Sequence, residues 1–359
     1  MSGIYGALGL NETDRAFVST VGQQAVFDAV QMLLQRWNED LNIALNLFVE
    51  RHTSDYKLRY KLPGGGYLQR RGRQGRPAVV KATGYWDVAF PLDDFGAGLG
   101  GDDVSLAYMS IQELNRHLDT IFMQDLNTVR FEILKALFDS ASFTWADEQW
   151  GNLSCVPLAN GDSVVYPPVL GADAEATHSH FYGTNYLSSA ISDSNNPFPG
   201  IRDHLEEHFG TPTGGSQIVA FINQAQTLKV QALTNFVDVP DTHEQPGANT
   251  AVAIGLPAGM PGRVLGHTDG CWVVEWRYMP ANYIVGLHLA APKPLIMRED
   301  MPESGLGSGL QLIATIKDNP LQESFYRHRF GLAVGNRLNG VCGYFVASTS
   351  YTTPTGYAH

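Results

Sequence analysis

The sequence predicts an α+β protein, and three features lead to that prediction. From Val104 to Ser140, apolar residues recur every three or four positions, which is the period of one helix face. Between Tyr56 and Leu92, two segments alternate between the two faces of a strand, the pattern of a β-hairpin. In the last third of the chain, short apolar runs alternate with loops, which indicates several strands.

The composition limits the classes of function. Of 359 residues, 44% are hydrophobic and 17% are charged, so the chain can bury a core. The net charge of −12 would repel phosphates over most of the surface, which argues against general affinity for DNA, RNA or anionic membranes. No apolar run has the length of a membrane span, and the first 14 residues lack the features of a secretory signal. We therefore predict no membrane association.

The cysteines, Cys155, Cys271 and Cys342, are odd in number and widely spaced. This pattern is typical of reduced, buried thiols rather than of a disulfide framework. We interpret them as buried thiols of a protein made in the cytoplasm.

The N-terminal segment divides into three predicted parts. Residues 1–18 contain several glycines and little pattern, and they predict an extended arm. Thr20 to Trp37 follows the helical period and predicts an ordinary packing helix. Leu41 to Val49 alternates apolar residues with polar or small ones and predicts a strand.

A long basic hairpin is predicted between Tyr56 and Gly98. Its first strand ends near Leu62, a glycine-rich break follows, and a second strand set runs from Ala78 to Leu92. Because a two-stranded ribbon buries little apolar surface by itself, it should pack against another surface. Either its tip is a solvated basic loop, or it docks on an acidic surface, and another copy of this acidic chain is the nearest source. For docking, the predicted inter-subunit contact residues are Lys57, Arg59, Lys61, Arg70, Arg71, Arg73 and Arg76.

Residues Gly96 to Gly101 match the G-x-G-x-x-G pattern that binds a pyrophosphate at the start of a helix. Against this, Asp102 and Asp103 would lie where the phosphates belong, and the helix that follows is too long for a dinucleotide-binding unit. The run is therefore interpreted as a hinge between hairpin and helix. A nucleotide-binding enzyme that uses it is a remote alternative.

The helix predicted at residues 104–140 is unusually long. At about 1.5 Å per residue, about 30 residues would extend about 45 Å, so the helix must cross a whole domain. Ser110 followed by Glu113 is the pattern of a capping box at a helix start.

Two short motifs carry residue types used in metal binding or catalysis. Residues 178–180, His-Ser-His, could present two imidazoles on one side of a strand, but no third ligand is evident. Residues 267–269, His-Thr-Asp, lack a Ser or Cys nucleophile in a recognisable turn. The sequence therefore predicts no catalytic residue, no metal ligand and no cofactor.

The remaining elements alternate helix and strand and then become mostly strands. A short helix is predicted from Pro199 to Gly210, and an apolar strand at Ile218–Asn223 is followed by a helical segment to Leu233. The later predicted strands are Cys271 to Arg277, Tyr283 to Ala290, Leu310 to Lys317, Phe325 to Val334 and Val341 to Ala347.

This order of elements resembles the major capsid proteins of tailed double-stranded DNA bacteriophages, the Hong Kong ninety-seven fold family, which also includes encapsulins and herpesvirus shells. The extended hairpin at 55–97, followed at once by the long helix at 104–140, carries most of the resemblance. The strand-turn-strand pattern from Trp272 to Gly286 and the late run from Tyr326 to Gly331 add to it. The resemblance covers essentially the whole chain and depends on architecture rather than on a short motif.

The resemblance implies a division of the chain into family domains. The implied parts are 1–51 as N-terminal arm and helix, 52–98 as the extended loop, 99–160 as the spine helix and first part of the peripheral domain, 161–309 as the axial domain, 310–337 as the return strands of the peripheral domain, and 338–359 as the last axial strand and C-terminal tail. Because the arm begins almost at Met1, a built-in scaffolding segment is in doubt, and a separate scaffold or none is expected.

The resemblance also implies a function. It implies a structural protein, not an enzyme, that assembles as hexamers and pentamers into an icosahedral shell around double-stranded DNA without sequence-specific binding. Portal, scaffolding and decoration proteins are implied as partners, with assembly in the host cytoplasm and a final place in the virion capsid. The alternative within the fold is an encapsulin-type compartment, because the helix at 20–37 resembles the helix that encapsulins have in place of an arm.

Overall fold

The computed structural model describes residues 4–8, 16–61, 68, 70, 75, 85–100, 108–164, 166, 179–186, 191–210, 217–238, 261–313 and 323–359. The α-helices in these residues are α1 (Ile4–Leu8), α2 (Val18–Val21), α3 (Gln23–Leu45), α4 (Ile111–Phe138), α5 (Phe198–Phe209) and α6 (Thr227–Gln231). The strands are β1 (Val49–Thr53), β2 (Lys57–Lys61), β3 (Tyr85–Ala89), β4 (Asp93–Gly100), β5 (Phe143–Asp147), β6 (Gly151–Cys155), β7 (Phe181–Gly183), β8 (Ile218–Ile222), β9 (Val237–Asp238), β10 (Arg263–Thr268), β11 (Cys271–Glu275), β12 (Tyr283–His288), β13 (Leu295–Arg298), β14 (Leu310–Ile313), β15 (Glu323–Val334) and β16 (Val341–Tyr344). The described residues also contain short 3₁₀ helices at Asp193–Asn195, Gln224–Gln226 and Pro302–Ser304.

Helix α4 is the long helix that the sequence predicts, with 28 residues. The hydroxyl of Ser110 accepts a hydrogen bond from the backbone N–H of Glu113 at 3.2 Å, and the carboxylate of Glu113 accepts one from the N–H of Ser110 at 3.0 Å. The predicted capping box is therefore confirmed, and it satisfies amide donors that the first helical turn leaves free. Helix α4 begins later than predicted, because the described residues 108–110 are not helical.

Helix α3 packs along α4 and is longer than predicted. Trp37 stacks on Phe122 with ring centroids 4.8 Å apart and an interplanar angle of 13°. The predicted strand at Leu41–Val49 is wrong for residues 41–48, of which the first five are helical and the next three form a turn. Only Val49 lies in a strand, as the first residue of β1. Leu41 and Leu45 continue the four-residue spacing from Trp37 and are buried against the core, so the helical period extends over a segment that also alternates.

The extended arm predicted for residues 1–18 is wrong at Ile4–Leu8, which form α1, and at Val18, which begins α2. Ile4 is fully buried, and its backbone N–H donates to Oδ1 of Asn115 on α4 at 3.0 Å. Ile4 is therefore part of the core beside α4. The weak sequence pattern of residues 1–18 did not predict this burial.

Two sheets form the body of the protein. The five-stranded sheet has the order β1-β13-β15-β14, and β4 pairs antiparallel with the first part of β15. The seven-stranded sheet has the order β7-β16-β12-β8-β11-β10-β9. The predicted strand-turn-strand, β11 and β12, does not form a hairpin, because β8 lies between them, parallel to β11 and antiparallel to β12.

The largest core cluster joins the long helix to both sheets. It includes Phe48 before β1, Val129 on α4, Phe221 on β8 and Phe330 on β15, all at most 1% exposed. Phe48 stacks on Trp276 with ring centroids 5.5 Å apart. Burial of these large apolar side chains fixes the helix against the sheets.

The three cysteines are free and buried, as predicted. Burial raises the pKa of Cys155 and of Cys271 to about 12, and it raises the pKa of Cys342 as well. These thiols therefore stay protonated and chemically inert at neutral pH. In the described part of the chain, every helix is too short or too polar to cross a bilayer.

Candidate assembly surface

The hairpin of β2 and β3 has the two faces that its alternation predicts. Arg59 lies opposite Asp87 and Tyr60 opposite Trp86 in the antiparallel register. Lys57 and Arg59 are exposed, whereas Trp86 and Val88 on β3 are 8% and 0% exposed. One face of the ribbon therefore lies against the body, and the other carries charge into the solvent.

The charged face contains an internal counterion that the sequence interpretation missed. Arg59 binds Asp87 through two parallel hydrogen bonds, Nε to Oδ1 at 2.6 Å and Nη2 to Oδ2 at 2.9 Å. Lys57 Nζ lies 3.2 Å from Oδ2 of the same carboxylate. Hydrogen bonding from Arg59 is the main cause that lowers the pKa of Asp87 to about 2. The strand register places Asp87 directly opposite Arg59. A correct prediction of that register would have revealed this ion pair.

The apolar face of the hairpin is anchored to the five-stranded sheet. Trp86 stacks on Tyr60 with centroids 5.3 Å apart, and its Nε1 donates to the carbonyl of Gly335 at 3.3 Å. Trp86 and Val88 share a buried cluster with Ile296 on β13. The base of the ribbon is thus held by the rest of its own chain, as expected for a ribbon that cannot form a core alone.

The structure describes four of the seven predicted contact residues. Lys57 and Arg59 lie on β2, and Lys61 ends that strand opposite Tyr85. Arg70 is exposed. Arg71, Arg73 and Arg76 lie outside the described residues. Contact of these cations with another subunit stays a prediction.

An acidic cleft of about 430 Å³ lies where β4 begins, beside the turn between β5 and β6. The charged side chains that line this acidic cleft are Asp93, Asp94, Asp147, Glu148, Asp300, Arg298 and Arg329. They come from four separate segments of the chain, so sequence reasoning did not group them. Five carboxylates against two guanidinium groups make the cleft a surface that attracts cations.

Two pKa shifts show how the acidic cleft is organised. Burial raises the pKa of Asp93. Burial also acts to raise the pKa of Asp147, but N–H bonds from Trp150 and Gln149 and the Arg298 guanidinium outweigh it and hold that pKa below its usual value.

The glycine run does not form the predicted hinge. Residues Gly96, Gly98 and Gly100 lie in β4 and pair with β15, so the hinge interpretation is wrong for residues 96–100. A Cβ on Gly96 would lie 3.2 Å from the carbonyl oxygen of Tyr326, so the neighbouring strand comes close to this position. The run therefore continues a sheet instead of turning directly into a helix, and Glu113 places a carboxylate at the start of α4. Both features disfavour a phosphate site there.

The described residues of the two motifs with metal-binding or catalytic residue types make hydrogen bonds within the chain. His180 is fully buried, and its Nδ1 lies 2.7 Å from the carbonyl oxygen of Gly340, while His178 lies outside the described residues. Asp269 accepts hydrogen bonds from the side chains of Thr268 and Asn235. In the residues that the structure describes, no group of three or more His, Cys, Asp or Glu side chains could hold a metal ion.

The chain is similar to a solved structure described as "Mycobacterium phage Patience", with a TM-score of 0.67 and 20% sequence identity over 96% of this chain and 94% of that chain. A second similarity is to "Capsid structure of the Cyanophage P-SCSP1u", with a TM-score of 0.47 and 9% identity over 83% of this chain and 86% of that chain. A third is to "Capsid of native GTA particle computed with C5 symmetry", with a TM-score of 0.46 and 13% identity over 85% of this chain and 90% of that chain. No protein-family model and no curated protein matches the chain. The similarity at 0.67 shows that the chain shares its fold with this phage structure, and the predicted α+β class is confirmed.

Proposed function

We propose that this chain is the major capsid protein of a tailed bacteriophage. Copies of it assemble as hexamers and pentamers into an icosahedral shell that encloses double-stranded DNA. Its role is structural and not enzymatic. The observation that carries this proposal is the fold shared over 96% of the chain with a phage structure.

The hairpin supports assembly as the mode of action. Its base is anchored through Trp86, whereas Lys57, Arg59 and Arg70 are exposed to solvent. A closed shell needs contacts that repeat between copies, and the exposed charged face of the ribbon on each copy would supply one. We propose that the hairpin cations contact a neighbouring subunit, with the acidic cleft as the candidate acceptor.

The charge distribution supports the same mode of assembly. Contacts between exposed charges are screened by salt, so they steer association, while apolar burial between copies supplies most of the affinity. The net charge of −12 suits a container that encloses DNA without binding its phosphates tightly. Portal, scaffolding and decoration proteins, assembly in the host cytoplasm and a place in the virion belong to this proposal.

The domain division also belongs to this proposal. The long helix α4 and the five-stranded sheet would form the peripheral domain, and the seven-stranded sheet would form the axial domain. All seven strands of that sheet fall in the ranges 161–309 and 338–359. Strand β13, although inside 161–309, pairs with β15, so we assign it to the peripheral domain.

A second candidate is an encapsulin-type compartment filled with a cargo protein. The observation that favours it is α3, which packs along the long helix of its own subunit through the stacked Trp37 and Phe122. Both candidates are shells, and they differ in what the shell contains.

Purified protein imaged by negative-stain electron microscopy, with nucleic acid extracted from the same sample, tests the proposal. Shells that contain double-stranded DNA are the expected result when the chain is expressed with its phage. Shells that contain protein would favour the compartment, and a preparation that stays monomeric at high concentration would contradict both.

A further inference from the structure

A second cavity, of about 350 Å³, lies between helix α4 and strand β4. We call it the helix cleft. Gln124, Asn127 and Thr128 of α4 surround its opening, and Asp125, Tyr326 and His328 line its buried floor. On the side opposite α4, the cavity is lined by the small residues Gly96 and Ala97 of β4.

The floor of the helix cleft is an ordered polar chain. Trp37 Nε1 donates to Oδ2 of Asp125 at 2.8 Å, and Nδ1 of His328 lies 2.6 Å from Oδ1 of the same carboxyl. Indole N–H only donates, so Asp125 accepts from Trp37, and we assign the donor role in the second bond to Nδ1 of His328. Nε2 of His328 is then the ring nitrogen that faces away from this carboxyl group.

Two polar atoms of the residues on this floor have no hydrogen-bond partner among the described residues. They are Nε2 of His328 and the hydroxyl of Tyr326, and both side chains are at least 98% buried. Burial raises the pKa of Tyr326, so its hydroxyl keeps a proton that it can donate. Buried polar groups are nearly always hydrogen-bonded, so this pair indicates a polar group that enters the helix cleft.

The chemistry of that group follows from the two atoms. With the proton on Nδ1, Nε2 of His328 accepts from a donor, and the hydroxyl of Tyr326 donates to an acceptor. An alcohol or a primary amide offers both in one small, uncharged group. The opening carries only uncharged side chains, Gln124, Asn127 and Thr128, which suits a neutral group.

The surroundings of the opening favour a protein partner. Met123 and Phe131 lie four residues to either side of Asn127 along one row of the helix, and they are 51% and 40% exposed. Exposed large apolar side chains beside a polar cleft are typical of an interface. Two copies of a chain with a charge of −12 repel each other least where their surfaces carry no charge.

We propose that the helix cleft receives a Ser, Thr, Asn or Gln side chain of a second copy of this chain, which donates to Nε2 of His328 and accepts from the hydroxyl of Tyr326. The cleft is then an incomplete site that a neighbour completes in the shell. This inference rests on the proposed function, because the shell supplies the second copy.

Three full-length variants test the inference. Tyr326→Phe removes only the hydroxyl, and Thr128→Leu narrows the opening. Thr120→Leu is the matched control, because Thr120 and Thr128 each donate Oγ1 to the carbonyl four residues earlier on α4, and Thr120 does not line the cleft. For each, sedimentation gives the subunit concentration at which half the protein is in particles, and thermal unfolding of dissociated subunits reports the fold.

We expect Tyr326→Phe and Thr128→Leu to raise that concentration about threefold to tenfold, the effect of one lost buried hydrogen bond, and Thr120→Leu to leave it unchanged. Dissociated Tyr326→Phe subunits should melt no lower than wild type, because the variant removes an unpartnered hydroxyl. Equal assembly of all three variants, or a lower melting temperature of Tyr326→Phe subunits, would overturn the inference and leave the proposed function intact. Wild-type protein that forms no particles would instead overturn the proposed function.

A three-dimensional image of wild-type particles gives a direct answer. A neighbour's hydroxyl or amide within hydrogen-bond distance of Nε2 of His328 is the expected result. Water alone or a small solute in the helix cleft would overturn the inference.

Discussion

Arg298 donates Nη1 to the carboxylate of Asp147 at 2.8 Å, and the two side chains are only 5% and 7% exposed. The same Nη1 donates to the carbonyl of Phe90 at 2.8 Å. The guanidinium of Arg298 on β13 therefore binds two separate segments. One is the residue that follows β3, and the other is the turn between β5 and β6 beside the acidic cleft.

Arg298→Met should destabilise the subunit by about 3–5 kcal/mol, because it leaves the carboxylate of Asp147 buried without its cation. Denaturant unfolding of the dissociated subunit measures this. Arg263→Met is the control, since Arg263 is 68% exposed and lies 3.5 Å from Glu275, and it should cost less than about 1 kcal/mol. Equal effects of the two variants would show that the Arg298 pair adds no more than a surface pair.

The stability of the subunit should fall in acid through Asp147. Its folded-state pKa is lowered, so its contribution is fully present above its unfolded pKa of about 3.9 and is lost as the pH falls through the lower folded value. Unfolding measured between pH 5 and pH 2 should show this loss in wild type and a smaller one in Asp147→Asn. Identical pH profiles would contradict the assignment.

Asp87 should titrate near its lowered pKa of about 2, which an NMR titration of its carboxyl carbon measures. Replacement of Arg59 by Gln should move the midpoint up toward about 3.9, because Arg59 is the largest cause of the shift. Asp193, whose pKa is lowered by hydrogen bonds from Thr234, serves as an internal control and should keep its midpoint. A midpoint of Asp87 that ignores the Arg59 substitution would contradict the bidentate pair.

Trp86→Ala should destabilise the subunit by about 3–5 kcal/mol, because it leaves a cavity where the hairpin meets the body and removes the bond to Gly335. Tyr85→Ala is the neighbouring control, since Tyr85 is 55% exposed, and it should have a small effect. If the two variants unfold alike, the hairpin is not anchored through Trp86.

Neutralisation of Arg70, Arg71, Arg73 and Arg76 together to Gln should impair particle formation while the subunit stays folded, because these cations are proposed to dock on a neighbour. Circular dichroism checks the fold, and sedimentation measures particle yield. The control with the same charge change replaces Arg36, Arg51, Arg116 and Arg263, which are exposed outside the hairpin. Normal yield from the hairpin variant would remove the docking role.

Local patterns predicted the elements that depend on local interactions. The capping box of Ser110 and Glu113, the two-faced strand at Lys57–Lys61 and the short helix at Phe198–Phe209 each require only neighbours within a few residues. The helical period also located α3 but not its end, because Leu41–Leu45 fits both a helix and a strand by pattern alone.

Features that depend on distant partners could not be predicted in the same way. Strand β4 is a strand because β15, more than 200 residues later, pairs with its glycines. His328 and Asp125 are 203 residues apart, and the acidic cleft joins four segments. Long-range pairing of this kind leaves no local period in the sequence.

Cryo-electron microscopy of the purified wild-type protein tests the central claim most directly. Closed icosahedral particles, in which the basic hairpin of each subunit lies across a neighbour, are the expected result. A solitary subunit whose hairpin contacts only its own body, at concentrations where capsid proteins assemble, would contradict it.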